Sequence, residues 1–417
     1  MASSALAGPL GPDDFRPVDP AAAEVGRLLF YDKILSGNQN ISCGTCHHHE
    51  LGTTDRLSLG IGEGGEGIGR ERIAGDIERR VPRNAPALWN LGAEEIRVLF
   101  HDGRLSLDPM SPTGFDSPVE EALPDGIETI VAAQALLPLL AETEMAGDAA
   151  ENPVARAARR RPQEAWAILA RRVRSIPAYR EMLVAAFDLQ APEEIEIVHV
   201  ANALGAFVSA EWQSHDSRYD RHLAGEAALT EEEAAGRDLF FVEVGCAGCH
   251  AGPLFSDQGF HALGLPSFGP GRTRAFDPVV RDRGRLNETD RLEDAYRFRT
   301  PMLRNVALTA PYGHNGAYPT LEGMIRHHMD PAAARRAWEP AMAELPEVEH
   351  LASVDFVVFE DAREMARLAS AIDVDLPVLS DAEIDALVAF LHTLTGDEST
   401  KGRLGRPETV PSGLPVD

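Results

Sequence analysis

The chain has 417 residues, of which 44% are hydrophobic and 25% charged, and its formal net charge is −27. That length accommodates two or three domains with real cores, and no run of about 18 apolar residues exists that could span a membrane. So acidic a surface repels nucleic acid and anionic lipid and favours a basic protein partner.

The start, MASSALAGPLGPDD, lacks a basic stretch followed by an apolar one, so no export signal is legible there. Residues 21–35, AAAEVGRLLFYDKIL, carry apolar side chains at helical spacing and predict a first helix. CGTCH follows at 43–47 and runs into His48 and His49. The Gly-rich stretch GIGEGGEGIG at 60–69 reads as a loop shaped around something. Helical spacing returns at 127–144 (IETIVAAQALLPLLAETE), 164–176 and 195–212. CAGCH stands at 246–250, and a second connector, GPGRTRAFDPVV, at 269–280. A last helix is predicted at 382–395, opened by Ser380 and Glu383 as a capping box.

The four cysteines, Cys43, Cys46, Cys246 and Cys249, form two C-x-x-C pairs, each followed at once by histidine, His47 and His250. C-x-x-C alone serves zinc, redox disulfides or haem anchors. A thioredoxin-like setting is missing, and a four-cysteine zinc site leaves both histidines unexplained. C-x-x-C-H has a mechanical reason: two thioethers hold the porphyrin edge, and the next residue lies under the iron. Two copies that use every cysteine point to two covalently bound haems c, with His47 and His250 as proximal ligands and His48 and His49 as surface or propionate-side residues. Covalent haem is attached outside the cytoplasm, so a periplasmic protein is expected, its export signal removed or replaced.

The expected fold is mainly α: two cytochrome c-like haem domains, at 15–190 and 195–400, with a helical insertion in the first after Arg104 and a tail at 401–417. The segments LLFYD and DLFF, each ahead of its C-x-x-C-H, form a weak internal repeat.

From these landmarks, together with PRNAPALWN, LFHDGR, AAQALLPLLAETEMAG and FRTPMLRNVALTAPYGHNG, the chain resembles the bacterial di-haem cytochrome c peroxidases and their MauG-like relatives along nearly its whole length. The resemblance implies an enzyme that reacts with H2O2 at the N-terminal haem and draws electrons from a protein partner. That partner is either an oxidised substrate protein, as in MauG-like members, or a small redox donor. A pure electron carrier is the contrasting class. The resemblance places the distal acid–base role on Glu144, with Gln134 and Pro138 shaping the pocket. It puts Glu63 where reductively activated peroxidases carry a capping histidine, which implies an open distal face. It assigns the second haem's sixth ligand to His328, with His327, Met329 and Tyr318 as rivals. His101 stands where the family has a tryptophan between the haems, and Trp89 is a nearby indole. A Ca2+ ion is implied at the Asn84 side chain and the Thr309 and Pro311 carbonyls.

Overall fold

The structure, a computed structural model, describes residues 9–273, 277, 280–397 and 399–417. Part of the predicted connector at 269–280 therefore lies outside the described residues. The molecule is mainly helical, with strands confined to short antiparallel pieces such as the three-stranded sheet of Val98–Leu99, Leu105–Leu107 and Phe115–Asp116.

Two helix pairs organise it. Helix α1 (Pro20–Tyr31) begins where the Asp19 carboxylate accepts from the Ala21 and Ala22 amides. It packs on α2 (Ile197–Glu211), and Gly26 makes the approach possible, since a Cβ there would sit 1.8 Å from the Ala203 carbonyl oxygen. Helix α3 (Glu231–Asp238) repeats the device against α4 (Asp381–His392): a Cβ on Gly236 would lie 1.9 Å from the Ala386 oxygen. The two closing helices carry ALGAF at 203–207 and ALVAF at 386–390. Phe207 and Phe390 take matching places beside the two glycines. The faint repeat ahead of the cysteines is thus a duplicated helix–helix contact. The predicted capping box of α4 is present, with Ser380 and Glu383 each bonding the other's backbone amide.

Residues 197–211 pack into the first core, whose buried members span Leu10 to Trp212 and also include Leu254 and Val410. The second core gathers Tyr219, Leu239, Phe240, Phe255 and Phe390. Residues 401–417 do not trail free. Glu211 accepts from the Arg403, Leu404 and Gly405 amides. Val410 joins the first core, and Asp417 pairs with Lys33 and Thr45.

A correction concerns 127–144, where a single helix was expected. Helix occupies only Ile130–Ala135, a 3-10 turn follows at Pro138–Leu140, and a π-type turn spans Glu142–Ala146. Pro138 has no N–H to continue the ladder and its ring crowds the preceding turn. The break swings Glu144 into a π-type turn, a feature common at functional sites.

Candidate active site

Cys43–Cys46 is one helical turn, opened by Ser42 and Thr45 as a reciprocal cap. Three residues apart on one turn, the two thiols share a face, and both line a buried cavity of about 410 Å³. Burial pushes both thiols up to about 12, so they are neutral rather than thiolate. His47 lines the same cavity, and its Nδ1 donates to the Thr53 carbonyl at 3.0 Å. Burial lowers its pKa. The neutral ring with Nδ1 so occupied keeps Nε2 for an iron, the arrangement of a histidine ligand and its supporting carbonyl. His48 and His49 line neither cavity. His48 is 1% exposed and so corrects the surface expectation, its Nδ1 accepting from the Glu50 amide. His49 faces Glu211.

On the wall of this cavity stand Gln134, Pro138 and Glu144. Burial raises the Glu144 pKa, opposed by the charges of Arg104 and Arg272, which also line the cavity. Glu63 does not line it. Its carboxylate accepts from the Asn38 and Asn40 side-chain amides at 3.0 and 2.5 Å, which holds it on the loop's outer side.

The second cavity, of about 290 Å³, is lined by Cys246, Cys249, His250 and His328. His250 Nδ1 donates to the Phe255 carbonyl at 3.0 Å, and His328 Nδ1 to that of Met324 at 2.8 Å. Two imidazoles on one cavity therefore keep Nε2 clear of these bonds. Burial, and then the neighbouring His328, lower His250 to about 4. The rivals differ in kind. His327 has both nitrogens engaged, Nδ1 with the Tyr318 hydroxyl and Nε2 with the Leu263 carbonyl. Tyr318 is thereby occupied too. Met329 lines the cavity but packs into the second core.

His101 lines both cavities, as do Asn84, Ala85 and Pro86. Its Nε2 donates to the Asn84 carbonyl at 3.1 Å, and burial lowers it to about 4, so a neutral imidazole stands in the wall between the two slots. Trp89 lines only the second. Asn84, Thr309 and Pro311 all line that cavity; the Asn84 amide nitrogen donates to the Leu57 carbonyl, which leaves its Oδ1 as the atom a hard cation could take.

Two features escaped sequence reasoning. The first is a buried ionic cluster beside the cavities. Arg83 holds Asp282 through Nε and Nη2 at 2.7 and 2.8 Å, and Asp102 at 2.6 Å. Arg104 and Arg272 reach the same Asp102 at 3.4 and 3.3 Å, and Arg272 also pairs with Glu288. Arg104 is the most loosely paired, and it faces the first cavity, where a porphyrin carboxylate would meet it. With paired thiols, a free imidazole nitrogen, an apolar slot and guanidinium groups at its edge, the residues fit a haem c in each cavity. The sequence signal was present in PRN and HDGR, but its partners lie far along the chain.

The second is Asp55, 2% exposed on the first cavity, accepting from the Leu57 amide. Burial pushes it up to about 7. A carboxyl raised on folding stabilises fully below its unfolded pKa, and that contribution is lost as pH rises through about 7. Asp55→Asn is therefore expected to raise stability more at pH 8 than at pH 5, by at most about 4 kcal/mol at the alkaline end. Melting curves at the two pH values check this; equal shifts would refute it.

The fold and the paired C-x-x-C-H turns define the class, a di-haem c-type protein. The chain belongs to the di-haem cytochrome c peroxidase family, whose model matches residues 20–228. It is accordingly a haem peroxidase, an oxidoreductase acting on peroxide. The methylamine utilization protein MauG of Paracoccus denitrificans is 30% identical over 410 residues, covering 91% of this chain and 90% of its own. The cytochrome c551 peroxidase of Nitrosomonas europaea is 28% identical over 312 residues, 74% of this chain and 73% of its own. Among solved structures, a MauG-like protein associated with microbial copper homeostasis superposes with a TM-score of 0.61 at 28% identity, covering 96% of both chains. No helix among the described residues is long and apolar enough to cross a membrane.

Proposed function

We propose that the enzyme turns over H2O2 at the first cavity and spends the oxidising equivalents on side chains of a partner protein, as a MauG-like oxidase. When bound, the two haems supply peroxide activation and one-electron storage. His47 would hold the first of them, and His250 and His328 would hold the second. Glu144 takes a proton from one peroxide oxygen and returns it to the other, and each H2O2 consumes two electrons and two protons to give two waters. Burial raises its pKa against the pull of Arg104 and Arg272, which favours a carboxyl that can hold the proton between the two steps. Gln134 and Pro138 shape the space around it. His101 stands between the haems, Ca2+ is bound by Asn84, Thr309 and Pro311, and the site of action is the periplasm. A net charge of −27 selects a basic partner.

The observation that carries this reading is the pairing of a half-buried carboxyl on one cavity with two imidazoles on the other. A peroxidase fed by a small redox protein is the second reading, and relatives of both kinds stand at similar identity. The ferric holoenzyme is expected to show one high-spin and one low-spin haem; two low-spin haems would make it a carrier. Stopped-flow with a reduced small c-type cytochrome then separates the peroxidase readings. Slow donor oxidation supports a substrate-protein oxidase, and fast steady-state turnover supports the donor-fed enzyme.

A further inference from the structure

Of the six tyrosines, two line the second cavity, Tyr296 and Tyr312. They differ in what receives the phenolic proton. Tyr312 donates to the Val306 carbonyl, an amide oxygen too weakly basic to take a proton. Tyr296 donates to Glu364 Oε1 at 2.5 Å. Glu364 is 1% exposed, and its other oxygen accepts from Arg281 at 3.0 Å and Arg367 at 3.1 Å, which fixes it in place and leaves Oε1 to the phenol. The Arg367 side chain is 56% exposed, so the chain of contacts leads from the cavity to solvent in three side chains. Tyr296 is also held in the left-handed region, at φ 59°. For a bulky residue this is a real outlier, and such strain gathers at functional sites. Neither the axial pair nor the acid–base machinery uses this residue.

We propose that Tyr296 is a redox-active tyrosine serving the second haem, passing its proton to Glu364 as it gives up an electron; this rests on the peroxidase reading above. Once peroxide has left the enzyme oxidised, one electron leaves the Tyr296 ring for the second haem. The phenolic O–H bond breaks, the proton forms a new O–H bond at Glu364 Oε1, and a neutral tyrosyl radical remains. An electron from the protein reductant or substrate then restores the tyrosine, and the proton returns from Glu364. A phenol oxidised away from water needs an internal acceptor within hydrogen-bond reach, and among the cavity-lining tyrosines only Tyr296 has a carboxylate there.

The test uses the holoenzyme made with natural and with ring-deuterated tyrosine, mixed with one equivalent of H2O2, frozen and read by electron paramagnetic resonance. The expected result is a radical signal that narrows on deuteration, is lost in Tyr296→Phe, is diminished in Glu364→Gln and survives in Tyr312→Phe. The variants are compared at equal haem content and equal Soret response. If Tyr296→Phe does not fold, Glu364→Gln decides, because it keeps a hydrogen-bond acceptor but cannot take the proton. A full-strength signal in either variant overturns the proposal, as does a wild type whose Soret band responds while no tyrosyl signal forms. A wild type with no Soret response instead overturns the peroxidase reading, and the relay with it.

Discussion

Glu144→Gln is expected to lower H2O2 turnover by roughly 10²–10⁴, the usual worth of a positioned general acid–base. The amide keeps the volume of the side chain and its place in the π-type turn Glu142–Ala146, so the cavity wall survives. What it loses is the proton. A carboxyl, whose pKa burial raises and the charges of Arg104 and Arg272 lower, can both take and give a proton; an amide cannot. Haem content and the ferric spectrum should stay unchanged. Undiminished turnover with those spectra intact would remove Glu144 from the mechanism, and Asp55, the buried carboxyl on this cavity, would become the candidate.

The haem anchors were legible because their chemistry is local: five consecutive residues fix two thiols and an imidazole on one turn. Glu144 was legible only through resemblance. Helical periodicity alone runs through 127–144, and it does not show that Pro138 ends the helix ahead of Glu144. Nothing local to residues 195–212 reveals that the helix there returns to Gly26. The match between ALGAF and ALVAF was in the sequence and would have placed both closing helices. The Arg83–Asp102–Asp282 cluster and the Tyr296–Glu364 pair were not readable. Their members lie from about twenty to some two hundred positions apart, and no periodicity joins them.

The fully ferric protein is expected to react with one equivalent of H2O2 without prior reduction. A reductively activated enzyme must first pull a capping side chain off its peroxide site. Here the loop carries Glu63, and that carboxylate is already engaged by Asn38 and Asn40. The loop is also pinned: the Glu63 amide donates to the Thr143 carbonyl at 3.2 Å. A Cβ on Gly62, which sits at φ 66°, would lie 1.9 Å from that same oxygen. Swinging the Glu63 side chain into the cavity would break both of its hydrogen bonds, each worth on the order of 1 kcal/mol, to bring in a poor ligand. A second imidazole at the other haem acts in the same direction. Nitrogen lacks the potential-raising effect of a methionine sulfur, so a haem held by His250 and His328 gives up electrons more readily. His328→Met should therefore raise that haem's reduction potential and alter its low-spin spectrum. Stopped-flow at the Soret band, with no reductant present, reads the first expectation. A band that stays still until an electron is supplied would show that the first cavity is closed by some other residue. A ferric protein that reacts, but whose low-spin signals survive His328→Met unaltered, would keep the open cavity and move the sixth ligand to Met329, the remaining candidate on that wall.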